Sequence, residues 1–228
     1  VTWPEISLVF TSRGRPESLS ATLDGLWKLA DHPACLEAIV AVDPDDHETQ
    51  WKAVLPLGAR LWVAPERYGY QQLHYYLNQL APLARGRWLM WWNDDMRMQT
   101  QGWDTVIRHA PQGVLWPTAN HVHHANIVPI WPKAWSDAAG MVCPTMHMDT
   151  WLQYAAEQLG LHHKVPIEVI HDRADVTGGH DDQTYAEGRG PMGPEGMSPA
   201  WGDAVRQLPA WVAAVRGVLD ADQAAPRV

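Results

Sequence analysis

The strongest chemical signal in this 228-residue chain is Trp91-Trp92-Asn93-Asp94-Asp95-Met96, where an apolar run ends on two adjacent carboxylates. Side by side, Asp94 and Asp95 repel each other unless something neutralises them. A divalent cation carrying a diphosphate does this well, because hard oxygen ligands suit Mg2+ or Mn2+ and the metal then bridges protein to phosphate. The alternative is a polar turn whose aspartates cap the next segment. Two arginines stand in a second polar stretch, Thr11-Ser12-Arg13-Gly14-Arg15. A guanidinium there can balance diphosphate charge with bidentate geometry, or it can simply be solvated. The histidines of His121-Val122-His123-His124 and His162-His163 suggest zinc, but zinc needs three or four converging ligands and the two cysteines, Cys35 and Cys143, are remote in sequence. Surface or loop positions are expected for those histidines. No glycine-rich phosphate fingerprint occurs, which argues against a dinucleotide-dependent dehydrogenase or an NTPase.

Each polar stretch follows an apolar one. Ile6 to Phe10 predicts a strand that ends at Thr11, and Pro16-Glu17 then opens a helix whose Leu19, Leu23, Leu26 and Ala30 share one face. Ala38 to Val42 predicts a second strand, stopped by Asp43-Pro44-Asp45-Asp46, and Leu61-Trp62-Val63 a third. Tyr70 to Ala84 carries Leu73, Tyr76, Leu77, Leu80 and Leu83 on a helical period, and Trp88 to Trp92 reads as a central strand. Beyond Asn93 the alternation loosens into short strands at Val114 to Trp116 and Ile127 to Ile130, a helix from Asp149 to Leu159 and a strand from Val165 to Ile170 that ends at His171. A last helix is expected from Trp201, kinked at Pro209. Strands alternating with helices predict an α/β fold, a Rossmann-type, mostly parallel central sheet flanked by helices in a single domain, with ligand bound at the carboxyl ends of the strands.

Composition supports a globular protein: 46% of residues are hydrophobic and 19% charged. Seventeen Lys and Arg against 26 Asp and Glu give a formal charge of -9, which excludes a surface that is basic all over. Two cysteines rule out a disulfide framework and suit a reducing compartment. Apolar runs such as Trp88 to Trp92 fall far short of the roughly 20 residues of a membrane span, and the first residues lack a signal-peptide pattern, so a cytoplasmic location is expected.

The motifs also have an order. Thr11-Ser12-Arg13 after the first strand, Asp43 after the second, Asn93-Asp94-Asp95 after the Trp-rich strand and Gly102-Trp103-Asp104 are followed by Pro132-Lys133-Ala134-Trp135, Ala139-Gly140, His147-Met148-Asp149-Thr150-Trp151 and Ile170-His171. In this order the chain, from about residue 5 to 185, resembles GT-A glycosyltransferases related to family 2, compact bacterial or bacteriophage members in particular. The resemblance implies an inverting enzyme that moves a sugar from a nucleotide sugar, most simply a UDP-sugar, to an acceptor hydroxyl with Mn2+ or Mg2+. It makes Asp43 the acid that reads the nucleobase, with Thr11, Arg13, Arg15, Asn93 and Asp94 lining the nucleotide site. It makes Asp95 and His171 metal ligands and Asp149 the general base. Asn93 departs from the family pattern, in which an Asp begins the triplet, and a register shift of one residue would pass the ligand role from Asp95 to Asp94. Structural roles compete with each assignment: a turn or cap for Asp43, a helix N-cap for Asp149, a packed ring for His171.

Trp131 and Trp135, in a Pro-interrupted stretch, are candidates to stack on an acceptor sugar. The acceptor itself is not written in the sequence: a glycan, a small molecule or a hydroxymethylated base in phage DNA are all compatible. DNA would require a local arginine face, for which Arg60, Arg67, Arg85, Arg87, Arg97 and Arg108 are available. Residues 1-185 are read as the catalytic unit and 186-228 as a Gly/Pro-rich loop and a helix packed on it. The loop from Gly188 to Pro199 is expected to act as a lid. Nucleotidyl transfer and non-catalytic carbohydrate binding are the rival functions.

Overall fold

A computed structural model describes residues 4–120, 126–172 and 200–224, together with Thr177 and Ala186. The first apolar run forms β1 (Ile6–Thr11), and Pro16 at the first helical position starts α1 (Pro16–Leu29), which buries Leu19, Leu23 and Leu26 as the spacing predicts. There follow β2 (Leu36–Val42), α2 (His47–Lys52), β3 (Ala59–Val63), α3 (Leu73–Leu80) and β4 (Trp88–Trp91). Every residue of β2 and β4 is buried, as a strand covered on both faces requires. These elements make a parallel half-sheet in the order β3-β2-β1-β4.

The second half is mixed. It comprises β5 (Met96–Met98), α4 (Trp103–Arg108), β6 (Val114–Ala119), β7 (Ile130–Pro132), α5 (Lys133–Ala139), α6 (Met148–Leu159) and β8 (His162–His171). The sheet continues as β4-β7-β6-β8-β5, with β7 antiparallel to β4 and β6, β8 parallel to β6, and β5 antiparallel to β8. Two antiparallel steps through β7 restore the original direction. β8 therefore runs with β4, and His171 ends at the same edge of the sheet as Thr11, Val42 and Trp91.

Several boundaries differ from the sequence expectation. The strand expected at Ile127 to Ile130 begins only at Ile130. The helix expected over Tyr70 to Ala84 is α3 flanked by two 3-10 turns, the second containing Pro82, and Leu83 is exposed rather than buried. Pro209 does not kink one helix: α7 (Trp201–Val205) stops and α8 (Leu208–Ala224) starts afresh, leaving Pro209 in a first turn where its missing N–H breaks no helical bond. Leu208, Trp211, Val212 and Val215 join the same apolar core as β1, β2 and β4, and Trp211 donates its indole N–H to the Met141 carbonyl at 3.0 Å. The expected lid, Gly188 to Pro199, lies outside the described residues.

Candidate active site

The acidic turn is gripped from beneath by α1. The Thr22 hydroxyl accepts the Trp92 indole N–H at 2.7 Å and donates to the Met96 carbonyl at 2.5 Å, so one side chain ties both ends of the turn. Between them the Met96 N–H bonds the Asn93 carbonyl, and the two aspartates point different ways. Asp94 faces inward. Its Oδ2 accepts from the Ser12 hydroxyl at 2.6 Å and its Oδ1 from Arg15 at 3.0 Å. Arg15 caps the start of α1, and Pro16 fixes the chain where that side chain departs. Burial pushes the Asp94 carboxyl up to about 6 despite the opposing pull of Arg15 and Ser12, with the neighbouring Asp95 charge adding to the rise. Part of the repulsion between the carboxylates is thus met by the protein itself.

Asp95 faces the sheet edge. Its Oδ1 lies 3.2 Å from Nε2 of His171 and its Oδ2 3.9 Å from Arg15. This meeting depends on the β5–β8 pairing, which sets Met96 opposite His171, and on the Asp172 N–H bonding the Asp95 carbonyl at 2.8 Å. On the other side, β6 ends at Ala119 and the Asn120 side chain takes over as strand partner, accepting the His171 N–H at 2.9 Å and donating to its carbonyl at 3.4 Å. A carboxylate oxygen and an imidazole nitrogen converging in this way fit Mn2+ or Mg2+ as two protein donors. Among the described residues no group of three or more His, Cys, Asp or Glu side chains forms a metal cage, so a cation held here would draw its remaining oxygens from its ligand and from water. Both Asp94 oxygens already accept hydrogen bonds, which leaves Asp95 as the better-placed donor of the pair.

A second cluster stands at the end of β2. Asp43, 5% exposed, accepts from the Tyr76 hydroxyl on Oδ1 and from Arg13 at 2.9 Å on Oδ2, with Arg67 3.7 Å away. Arg13 also forks onto Asp45 at 2.7 and 2.9 Å. Hydrogen bonding to that guanidinium holds the Asp45 carboxyl down at about 2, and Arg13 is raised by the same contacts. Asp46, by contrast, is architectural: it caps α2 through the Thr49 N–H and accepts the Gly14 N–H at 2.9 Å. Thr11 ends β1, half-buried beside this cluster.

Asp149 sits in the first turn of α6, but the N-cap is His147, so the competing capping role is not the one observed. Its Oδ1 accepts the Thr150 N–H at 2.7 Å. Helix α6 finishes at Gly160, in left-handed backbone at φ 69°, and Leu161 then bonds the start of β6 at the opposite sheet edge. The first turn of α6 therefore faces the edge that carries Asp95 and His171. No hydrogen bond or ion pair among the described residues joins Asp149 to that pair.

Trp131 and Trp135 are not acceptor platforms. Both are fully buried, Trp131 bonded to the Ser136 hydroxyl and Trp135 edge-on to Trp211, because the apolar faces of β7 and α5 close on the core despite the flanking proline. Asp104 of the Gly102-Trp103-Asp104 motif is likewise internal, accepting the Asp31 and His32 N–H groups at the end of α1. The six arginines suggested as a DNA-facing surface each sit beside a carboxylate: Arg60 and Arg85 on Glu37, Arg87 and Arg108 on Glu5, Arg67 on Asp43, Arg97 on Asp172. His162 stacks on Trp116 at the far edge, while His121 to His124 lie outside the described residues. The sequence did not mark Ser12, Tyr76 and Asn120 as neighbours of these carboxylates and backbone ends, and it offered Arg67 only for a DNA-facing surface. Ser12 stood within a motif already singled out, whereas Tyr76 carried only a core periodicity.

The α/β sheet, a parallel half continued by a mixed half, is a fold that solved glycosyltransferases share. One is the mannosyltransferase PcManGT from Pyrobaculum calidifontis, in complex with GDP-Man and Mn2+, 15% identical at a TM-score of 0.59 over 100% of this chain and 77% of that one. Another is S. aureus TarS, 13% identical at a TM-score of 0.51 over 73% of this chain and 35% of TarS. TarS 1-349 in complex with UDP-GlcNAc is 12% identical at a TM-score of 0.50, over 74% of this chain and 56% of that one. The chain thus spans well under two thirds of either TarS chain. No protein-family model and no curated protein sequence matches it.

Proposed function

We propose that the chain is an inverting, metal-dependent glycosyltransferase of hexosyltransferase type that moves a sugar from a nucleotide sugar, a UDP-sugar first, to an acceptor hydroxyl. The observation that carries this reading is the convergence of Asp95 and His171, 76 residues apart, at the sheet edge where Asp43 and Arg13 also stand. Neighbours in fold that bind GDP-Man with Mn2+ or UDP-GlcNAc support it.

In this reading Asp43 holds the base and Thr11, Arg13 and Asn93 line the nucleotide. Asp95 and His171 hold Mn2+ or Mg2+, which when bound supplies positive charge to the departing diphosphate. Arg15, seated between Asp94 and Asp95, keeps the acidic turn intact when no cation is there. Asp149 takes the proton of the acceptor hydroxyl as its oxygen attacks the anomeric carbon from the face opposite the diphosphate, which inverts that carbon. The arginines already beside carboxylates favour a glycan or small-molecule acceptor over modified DNA. A thermal-shift screen of UDP- and GDP-sugars, with and without Mn2+, tests the proposal, since a ligand of the native state raises its melting temperature. A shift for a nucleotide sugar that needs Mn2+ is expected; none for any nucleotide sugar would overturn the reading.

A further inference from the structure

We propose that two copies of this chain associate as a symmetric dimer through β3, the free edge of the sheet, and the apolar stretch that leads into it. Trp51, Val54 and Leu57 stand three residues apart in that stretch, and they are 85%, 74% and 97% exposed. Their backbone is held firmly. Asp46 caps α2 just before them, the Val54 N–H donates to the Ser20 hydroxyl at 2.8 Å, and the Leu57 carbonyl accepts the Trp27 indole N–H at 3.1 Å. A large aromatic and two aliphatic side chains fixed in water by a bonded backbone mark a contact surface.

The adjoining strand says what covers it. β3 ends the strand order, so among the described residues no strand pairs with its outer side. The Gly58 carbonyl and the Ala64 N–H both bond β2, so by the alternation of a strand Ala59, Leu61 and Val63 turn their backbone groups outward. Ala59 gives its N–H to the Pro56 carbonyl, but its own carbonyl points out with the rest. Such an edge is a template for another strand, and antiparallel pairing about a two-fold axis at Leu61 is in register. Leu61 of one copy exchanges both bonds with Leu61 of the other, and each Val63 N–H meets an Ala59 carbonyl. The same axis sets Val63, 47% exposed, opposite Ala59 of the other copy and hence beside its Leu57. An exposed Trp side chain presents about 200 Å² and a Leu or Val about 100 Å². The four side chains therefore bring on the order of 800 Å² over two copies, most of the roughly 1,000 Å² a specific interface needs, before the strand edges are counted. The flanking charges balance, Asp24 with Lys28 at 2.6 Å and Glu48 with Lys52 at 2.7 Å. A surface that meets itself needs that balance, whereas an anionic lipid surface would find no excess of positive charge there.

The test is sedimentation velocity of the wild-type chain, Trp51→Glu and Leu57→Asp from low to high micromolar concentration, with hydrogen exchange read at the Leu61 and Val63 amides. Both substitutions fall on exposed side chains, so the far-UV circular dichroism of the variants should match the wild type. The wild type is expected to sediment as a dimer with both amides protected. Each substitution should raise the dimer dissociation constant at least about tenfold, the scale of losing one anchor side chain, and should release the two amides. A wild type that stays monomeric overturns the proposal, as does a dimer that persists unchanged in both variants. Protection absent from Leu61 and Val63 in a wild-type dimer would place the interface elsewhere and overturn it too. So would a monomer that co-sediments with phosphatidylcholine vesicles and loses that binding in Trp51→Glu, since lipid would then be what the patch meets.

Discussion

Asp94 and Asp95 are neighbours in sequence, yet the structure gives them opposite work, and mutation should separate the two. Asp94 is buried against Arg15, whose side chain is only 10% exposed. Asp94→Ala would take from that guanidinium its 3.0 Å partner, and breaking a buried pair costs about 3 kcal/mol of stability. Asp95→Ala leaves Arg15 its main partner and should change stability far less; urea denaturation of the two variants reads the difference directly. Asp149→Asn should keep donor binding but lower turnover at least about a hundredfold, the scale of losing a general base. Because His147, not Asp149, is the N-cap, a slow variant with an unaltered melting curve cannot be ascribed to a lost cap. A near-normal rate would refute the base assignment.

At the scale of elements, the amino edge of the sheet holds a further buried acid, at the opposite end of the strands from the acidic turn. Glu37 on β2 accepts from Ser7 at 2.5 Å, from the Arg85 N–H and side chain, and from Arg60 at 3.3 Å. Burial alone would raise this carboxyl, but the Ser7 and Arg85 hydrogen bonds outweigh it and hold it below its ordinary value. A depressed acid contributes stability that is present above its unfolded pKa and is lost as pH falls through the folded one. Unfolding free energy measured against pH should therefore drop on the acid side, and Glu37→Gln should flatten that drop while lowering stability near neutrality. Gly86 belongs to the same knot, since a Cβ there would stand 2.6 Å from the Ser7 hydroxyl. The elements that carry the site were legible where their apolar runs are unbroken: Leu8 to Phe10 of β1, Ala38 to Val42 of β2 and Trp88 to Trp91 of β4. Elements α2 and α4, six residues each, and β5 and β7, three each, are too short to show a period, and β7 takes its direction from partners far along the chain. That is why the burial of Trp131 and Trp135, expected as candidates to stack on an acceptor, does not show in the sequence.

Over the whole molecule, the sequence shows at which carboxyl edge the polar motifs gather but not which side chains meet there. The Ser12–Asp94 and Tyr76–Asp43 bonds join residues 82 and 33 positions apart, and neither distance follows from local pattern. Two halves of the sheet meet at this edge, the parallel half bringing Asp43 and the acidic turn and the mixed half His171, and one apolar core joins the halves. No described helix is long and apolar enough to cross a membrane. The central claim is that Asp95 and His171 hold a metal on which nucleotide binding depends. Calorimetric titration of UDP into the wild-type chain and Asp95→Ala, with and without Mn2+, tests it most directly. The account predicts binding by the wild type that requires Mn2+ and is lost in Asp95→Ala; UDP binding that is equal with and without Mn2+ and survives the substitution would contradict it.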